Sequence, residues 1–176
     1  MILKVIGYGN PILRNQSKDI DFSYPDLNIL IENMFETLKV SNAVGLSAPQ
    51  IGLNINLFVL DNNNIKKIFI NPEILETSDE EVAYDEGCLS LPDVDLEIYR
   101  KEKVLINYFD ENFENHEEWF DGYTARIIQH EYDHLNGRLF IDHVTYLKKT
   151  LIKNKLNNII NGKVKVNYPM RFYINK

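Results

Sequence analysis

Thr124-Ala125-Arg126-Ile127-Ile128-Gln129-His130-Glu131-Tyr132-Asp133-His134-Leu135-Asn136-Gly137 reads as one helix and its stop. Ile127, Ile128 and Leu135 recur at helical spacing, and Gly137 is the residue type that ends helices in the left-handed conformation. Inside this helix lies the pattern H-E-x-x-H. Side chains at i and i+4 share one helix face, so the rings of His130 and His134 can reach a single metal ion. Glu131, beside the first histidine, is placed to move protons for water that the ion activates. A polar helix with two surface histidines would give the same letters. The apolar residues between and around them favour the metal reading.

Two histidines leave a catalytic site one protein ligand short, since such sites use three and keep a position open for water. The long pattern H-E-x-x-H-x-x-G-x-x-H is matched through Gly137 and fails at Phe140. A downstream glutamate is excluded, because no Glu follows Glu131. Asp142 and His143 lie just past the helix end and would have to fold back. Upstream, Glu86-Gly87-Cys88-Leu89-Ser90 holds the only cysteine. A lone cysteine is more often a small buried hydrophobe. Here the shortage of other ligands raises Cys88, because a thiolate suits a borderline-soft divalent ion.

Outward from the helix, the chain alternates short strands and turns. Leu27, Leu30, Ile31, Met34, Phe35 and Leu38 form one face of a helix over 25–39, with Ser23 and Asp26 as its capping box. Ile55 to Leu60 and Ile65 to Ile70 flank Asp61-Asn62-Asn63-Asn64 as a hairpin, and Asn71-Pro72 is expected to stop its second strand. Residues 80–84 and 96–99 are weaker strands; Lys103 to Phe109 pairs with 116–120 across a turn. Met1 to Arg14 reads as a strand and turn, without the basic and apolar regions of a signal peptide. A last helix covers 145–160, and Lys163 to Ile174 is extended. This is a single α+β domain over residues 1–176, mainly antiparallel, with helices at both ends of the strands.

The 176 residues suffice for a core without disulfides. No stretch is long and apolar enough to cross a membrane, and the cytoplasm is the default compartment. The net charge of −7 hides a split: residues 145–176 carry eight basic side chains and no acidic one, against 11 basic and 26 acidic elsewhere. A basic tail on an acidic body fits docking on nucleic acid or an acidic partner. It equally fits a solvated helix face, the commoner case.

The loop Val44-Gly45-Leu46-Ser47-Ala48-Pro49-Gln50-Ile51-Gly52 supplies a further piece. Amide hydrolysis needs donors aimed at the developing oxyanion, and Gln50 offers a side-chain amide from a backbone constrained by Gly and Pro. This loop, the Glu86–Ser90 segment and Gln129-His130-Glu131-Tyr132-Asp133-His134-Leu135 together resemble the three signature motifs of peptide deformylases, in order and spacing. Ile12-Leu13-Arg14, Ile70-Asn71-Pro72 and Leu139-Phe140-Ile141-Asp142 also look like segments of that family. The likeness spans about residues 3–160.

The resemblance implies a fold with the metal-binding helix at the centre of antiparallel sheets. It implies hydrolysis of the N-formyl group from the N-terminal formylmethionine of nascent polypeptides, releasing formate. Carried onto this chain, Cys88, His130 and His134 would hold the metal and Glu131 would be the acid/base. The Leu89 N–H and the Gln50 side chain would hold the formyl oxygen. Gly45 and Gly87 would contact the substrate backbone; Val44, Arg126 and Ile127 would wall the methionine pocket. Glu86 would pair with Arg100 to brace the cysteine loop. The ion would be Fe(II), with Zn(II), Ni(II) and Co(II) acceptable to the same ligands. Partners would be formylmethionyl chains, and the ribosome through the basic tail, not DNA or a membrane. Ser47, Asn10, His143, Asn54 and Asn56 depart from residues common in the family. None of them removes a ligand or the base, and His143 is expected at the surface. Residues 161–176, outside the likeness, are expected to be dispensable for the chemistry. A zinc peptidase and a non-catalytic binding module are the rival readings.

Overall fold

A computed structural model describes residues 1–62 and 65–173. Five strands form one antiparallel sheet in the order β2-β3-β4-β7-β8: β2 (Gly45–Ser47), β3 (Leu57–Asp61), β4 (Lys66–Thr77), β7 (Lys103–Phe109) and β8 (Asn115–Asp121). The strands β5 (Glu81–Cys88) and β6 (Leu91–Lys101) make a separate antiparallel hairpin. A short parallel pair joins the ends of the fold, β1 (Val5–Ile6) with β9 (Met170–Arg171). The helices are α1 (Leu27–Ser41), α2 (Gly122–Leu135) and α3 (Tyr146–Ile160). The α+β class and the mainly antiparallel pairing agree with the sequence reading.

The alternation of β3 explains the layering. Leu57 and Val59 face α1 and join Leu27, Ile31, Met34 and Leu38. Phe58 and Leu60 face the other way and join Ala125, Ile127 and Ile128 of α2. A strand buried on both faces reads as a continuous apolar run, as Leu57-Phe58-Val59-Leu60 does. A third cluster packs Leu91, Val94 and Ile98 of β6 against Ile6, Phe140, Ile152 and Ile159. Helix α2 therefore lies between the large sheet and the β5–β6 hairpin, touching both.

Three local expectations are corrected. The first helix begins at Leu27, and its N-cap Asp26 is left-handed (φ 53°) with no side-chain cap. The Ser23 hydroxyl is taken by Asp21 at 2.5 Å, so no capping box forms. Asn71-Pro72 does not stop β4, which continues to Thr77. Instead the register shifts between Ile70 and Glu73, with Asn71 at φ 48°. The Asn71 side chain bonds Ile20 N and O at 3.0 and 2.7 Å, which holds the bulge where proline is tolerated. The hairpin between β3 and β4 forms in register; Asn63 and Asn64 of the expected turn, and Ile174 of the expected extended tail, lie outside the described residues.

Candidate active site

Helix α2 ends where Gly137 takes φ 67°, and a Cβ there would stand 2.5 Å from Arg14 O. That backbone approach explains why glycine follows the motif. One turn earlier, His130, Glu131 and His134 are all buried. Cys88 comes from the other sheet. It ends β5, where the register with β6 shifts between Glu86 and Cys88 and turns the thiol toward α2. The Cys88 Sγ lies 3.3 Å from His134 Nε2, and the ligand-type atoms of Cys88, His130 and His134 all lie within 4.8 Å of one another. Bonds of about 2.0–2.3 Å in tetrahedral geometry space such ligands by about 3.5 Å. A thiolate with two imidazoles is the donor set of a borderline-soft divalent ion. Glu131 Oε2, buried in the same place, has no hydrogen-bond partner among the described residues. The residues present fit a metal centre.

A brace lies behind the donors. Glu86 Oε2 stands 3.0 Å from His130 Nδ1, leaving Nε2 of that ring for an ion. Arg100 grips Glu86 through Nε and Nη2 at 2.8 and 3.0 Å, and reaches Asp133 at 2.6 Å. Arg126 donates to Glu86 at 2.7 Å, to Ile98 O at 3.0 Å and to Val82 O. Burial opposes the charge on Glu86, yet His130 and Arg100 outweigh it and hold the carboxyl well below the usual range. Burial likewise discourages charge on His130, but Cys88 and Glu86 raise it to about 10. His134 is pushed well below its ordinary value by burial and by the charge on His130. Burial raises Glu131 to about 7 against the pull of His130.

Gln50 sits in a single 3-10 turn, Ala48–Ile51, after β2. Its Oε1 accepts from Ser47 N and Ser47 Oγ at 2.9 and 3.0 Å, which points Nε2 at Cys88 Sγ, 3.4 Å away. The amide is locked with its donor toward the centre. Val44, Gly45, Gln50, Glu86, Gly87, Cys88, Leu89, Arg126, Ile127, His130 and Glu131 line one cleft of about 350 Å³. His134 and Arg100 stand behind its wall. Arg126 lines the cleft, but its guanidinium is committed to the Glu86 brace.

Two other residues near the motif do different work. Asp142 binds Arg14 and caps Leu139 N at 2.9 Å, and exposed His143 pairs with Asp133 at 2.7 Å. Neither joins the group of close ligand-type atoms, which among the described residues brings Cys88 together with His130 and His134. Sequence reasoning missed Asp133 as the second anion on Arg100, although it stands inside the motif. A second cluster, Asp110, Glu114 and His116, also brings three ligand-type atoms together. Its Asp110 carboxylate is spent on Asn112 N, Glu114 N and His116 at 2.9–3.0 Å, which closes the β7–β8 turn.

Known proteins resemble this chain throughout its length. Residues 2–150 match the family model described as polypeptide deformylase. A peptide deformylase of Christiangramia forsetii is 46% identical, over 98% of this chain and 96% of its own length. One of Cytophaga hutchinsonii is 44% identical, with both chains covered completely. The crystal structure of Arabidopsis thaliana peptide deformylase 1B superposes with a TM-score of 0.85 at 36% identity, covering 92% of each chain. With its motifs, its fold and its relatives in agreement, the chain belongs to the polypeptide deformylase family of metal-dependent hydrolases, which remove the N-formyl group from nascent peptides.

Proposed function

We propose that the cleft over Cys88, His130 and His134 is where this chain deformylates peptides, with residues 1–176 acting as one catalytic domain. The observation that carries the reading is the convergence of three donor atoms within 4.8 Å beside the buried, unpaired Glu131 Oε2. Cys88, His130 and His134 would hold a divalent ion, which would supply a Lewis acid and lower the pKa of water toward neutrality. Glu131, raised to about 7, takes that proton as water attacks the formyl carbon. The Gln50 Nε2 and the Leu89 N–H donate to the formyl oxygen as it gains charge. Glu131 then passes the proton to the departing amine nitrogen, which leaves formate and a free amino terminus.

Gly45 and Gly87, which both line the cleft, offer backbone groups to the peptide; Val44, Ile127 and Arg126 wall the methionine side chain. Glu86, with Arg100, fixes the ring of His130. Fe(II) is the ion assigned here, and Zn(II), Ni(II) and Co(II) suit the same donors. No helix of the described chain is long and apolar enough to cross a membrane. A cytoplasmic enzyme that meets chains leaving the ribosome accords with the basic residues of α3. Replacing the exposed Lys153 and its neighbours Lys148 and Lys149 by Glu should weaken salt-sensitive ribosome cosedimentation, and unchanged sedimentation would reject that contact.

The deciding experiment is formate release from formyl-Met-Ala-Ser by protein loaded anaerobically with Fe(II), beside Glu131→Ala. Release by wild type and loss of most activity in a variant that keeps its metal are expected. Cleavage of internal peptide bonds in a library would instead indicate a peptidase.

A further inference from the structure

The chain ends beyond the family match, yet it returns to the active site. The matched region stops at residue 150, and α3 carries the chain away before β9 brings it back beside β1. Val5 N donates to Pro169 O at 2.8 Å and Gly7 N to Arg171 O at 3.0 Å. Phe172 packs over Gly7, in the cluster that also holds Leu91 and Ile6. Two residues before this anchored strand, the Tyr168 hydroxyl donates to the backbone carbonyl of Leu89 at 2.9 Å. The next carbonyl, Ser90 O, accepts from Tyr8 N at 2.8 Å. Two neighbouring carbonyls of the turn after Cys88 are thus each held by one end of the chain. Burial, above all, pushes the Tyr168 phenol above its ordinary value, so it stays a donor throughout the physiological range.

We infer that Tyr168 is a positioning residue for deformylation: its hydroxyl fixes the backbone of Leu89 and thereby aims the Leu89 N–H at the formyl oxygen. The inference rests on the reading of Leu89 as an oxyanion donor. A donor must point at the oxyanion before the reaction to contribute fully, and loss of one such donor costs about 100–1000-fold in kcat. A donor that stays present but is less firmly aimed costs less. The inference runs against the expectation that residues 161–176 are dispensable for the chemistry.

The test is Tyr168→Phe in the full chain, which keeps the ring and deletes only the hydroxyl. In metal-loaded protein, kcat for formyl-Met-Ala-Ser should fall about tenfold with KM held within about twofold, the signature of an interaction made in the transition state. Metal content and thermal midpoint should match wild type. Amide exchange at Leu89 and Ser90 should speed up in metal-free protein as well, a readout independent of turnover. Unchanged kcat would overturn the inference. So would a loss of kcat that tracks lost metal or a lowered midpoint, which would make Tyr168 a stability residue only. Wild-type protein without turnover would remove the site reading itself, and this inference with it.

Discussion

Glu86 Oε2 stands 3.0 Å from His130 Nδ1, in a pocket where both side chains are buried. A carboxylate on the far nitrogen fixes the tautomer and ring direction of a metal-binding histidine. Glu86→Gln keeps the shape and removes the charge. Metal affinity should weaken by about 10–100-fold, measured by chelator competition on protein shown to be folded. Unchanged affinity would mean that Arg100 and Arg126, not the ring, are what Glu86 serves.

Gly45 lies where β2 crosses α2, and a Cβ there would overlap Glu131 Oε1 and come within 2.8 Å of Ile127 Cγ2. Both obstacles are side-chain ends, so the protein can give way. Gly45→Ala should destabilise by about 1–2 kcal/mol, the usual cost of overpacking. If Glu131 is the base proposed above, activity should fall further, by about 10–100-fold. A variant with wild-type kcat would show that the Glu131 carboxylate need not stand where it does.

Among the described residues, Cys88 is the one member of the proposed ligand group that comes from the β5–β6 hairpin and not from α2. A ligand that binds only the folded state stabilises it, by about 2.7 kcal/mol at a hundredfold excess over Kd. Stripping wild type with a chelator should lower its thermal midpoint, while Cys88→Ala should melt alike with and without chelator. Stoichiometric metal in that variant would move the third ligand elsewhere.

Asp142 ties the 3-10 turn after α2 to Arg14 and lies 3.6 Å from Lys149. Burial raises its carboxyl, but Arg14 and the Leu139 N–H outweigh this and lower it. A depressed carboxylate contributes its stability above the unfolded-state value and loses it as pH falls through the folded one. Asp142→Asn should therefore cost about 1 kcal/mol at pH 7. The gap to wild type should close below about pH 4 in denaturant titrations. A gap that persists at low pH would assign the effect to packing.

The parts of the site that were legible in the sequence are local or chemically distinctive. The helix period placed His130 and His134 on one face with Glu131 beside the first, and the poverty of other ligands pointed to Cys88. What escaped was set by distant partners. Asn71 bends β4 instead of ending it, because Ile20 is 51 residues away in sequence and adjacent in space. Asp26 lost its capping partner to Asp21, a competition that spacing does not reveal. Arg126 looked like pocket wall, and its three acceptors lie on β5 and β6. Tyr168 reaches Leu89 across 79 residues with no pattern announcing it.

The placement of α2 between two separate sheets also bears on how the protein forms. The helix and the β5–β6 hairpin are each built from near neighbours in sequence and can assemble early. The ligand-type atoms of Cys88 and His134, 46 residues apart, meet only after the hairpin docks on the helix. Tight metal capture should therefore arise in the last kinetic phase of refolding, after most helix has appeared, and an added ion should slow unfolding more than it speeds folding.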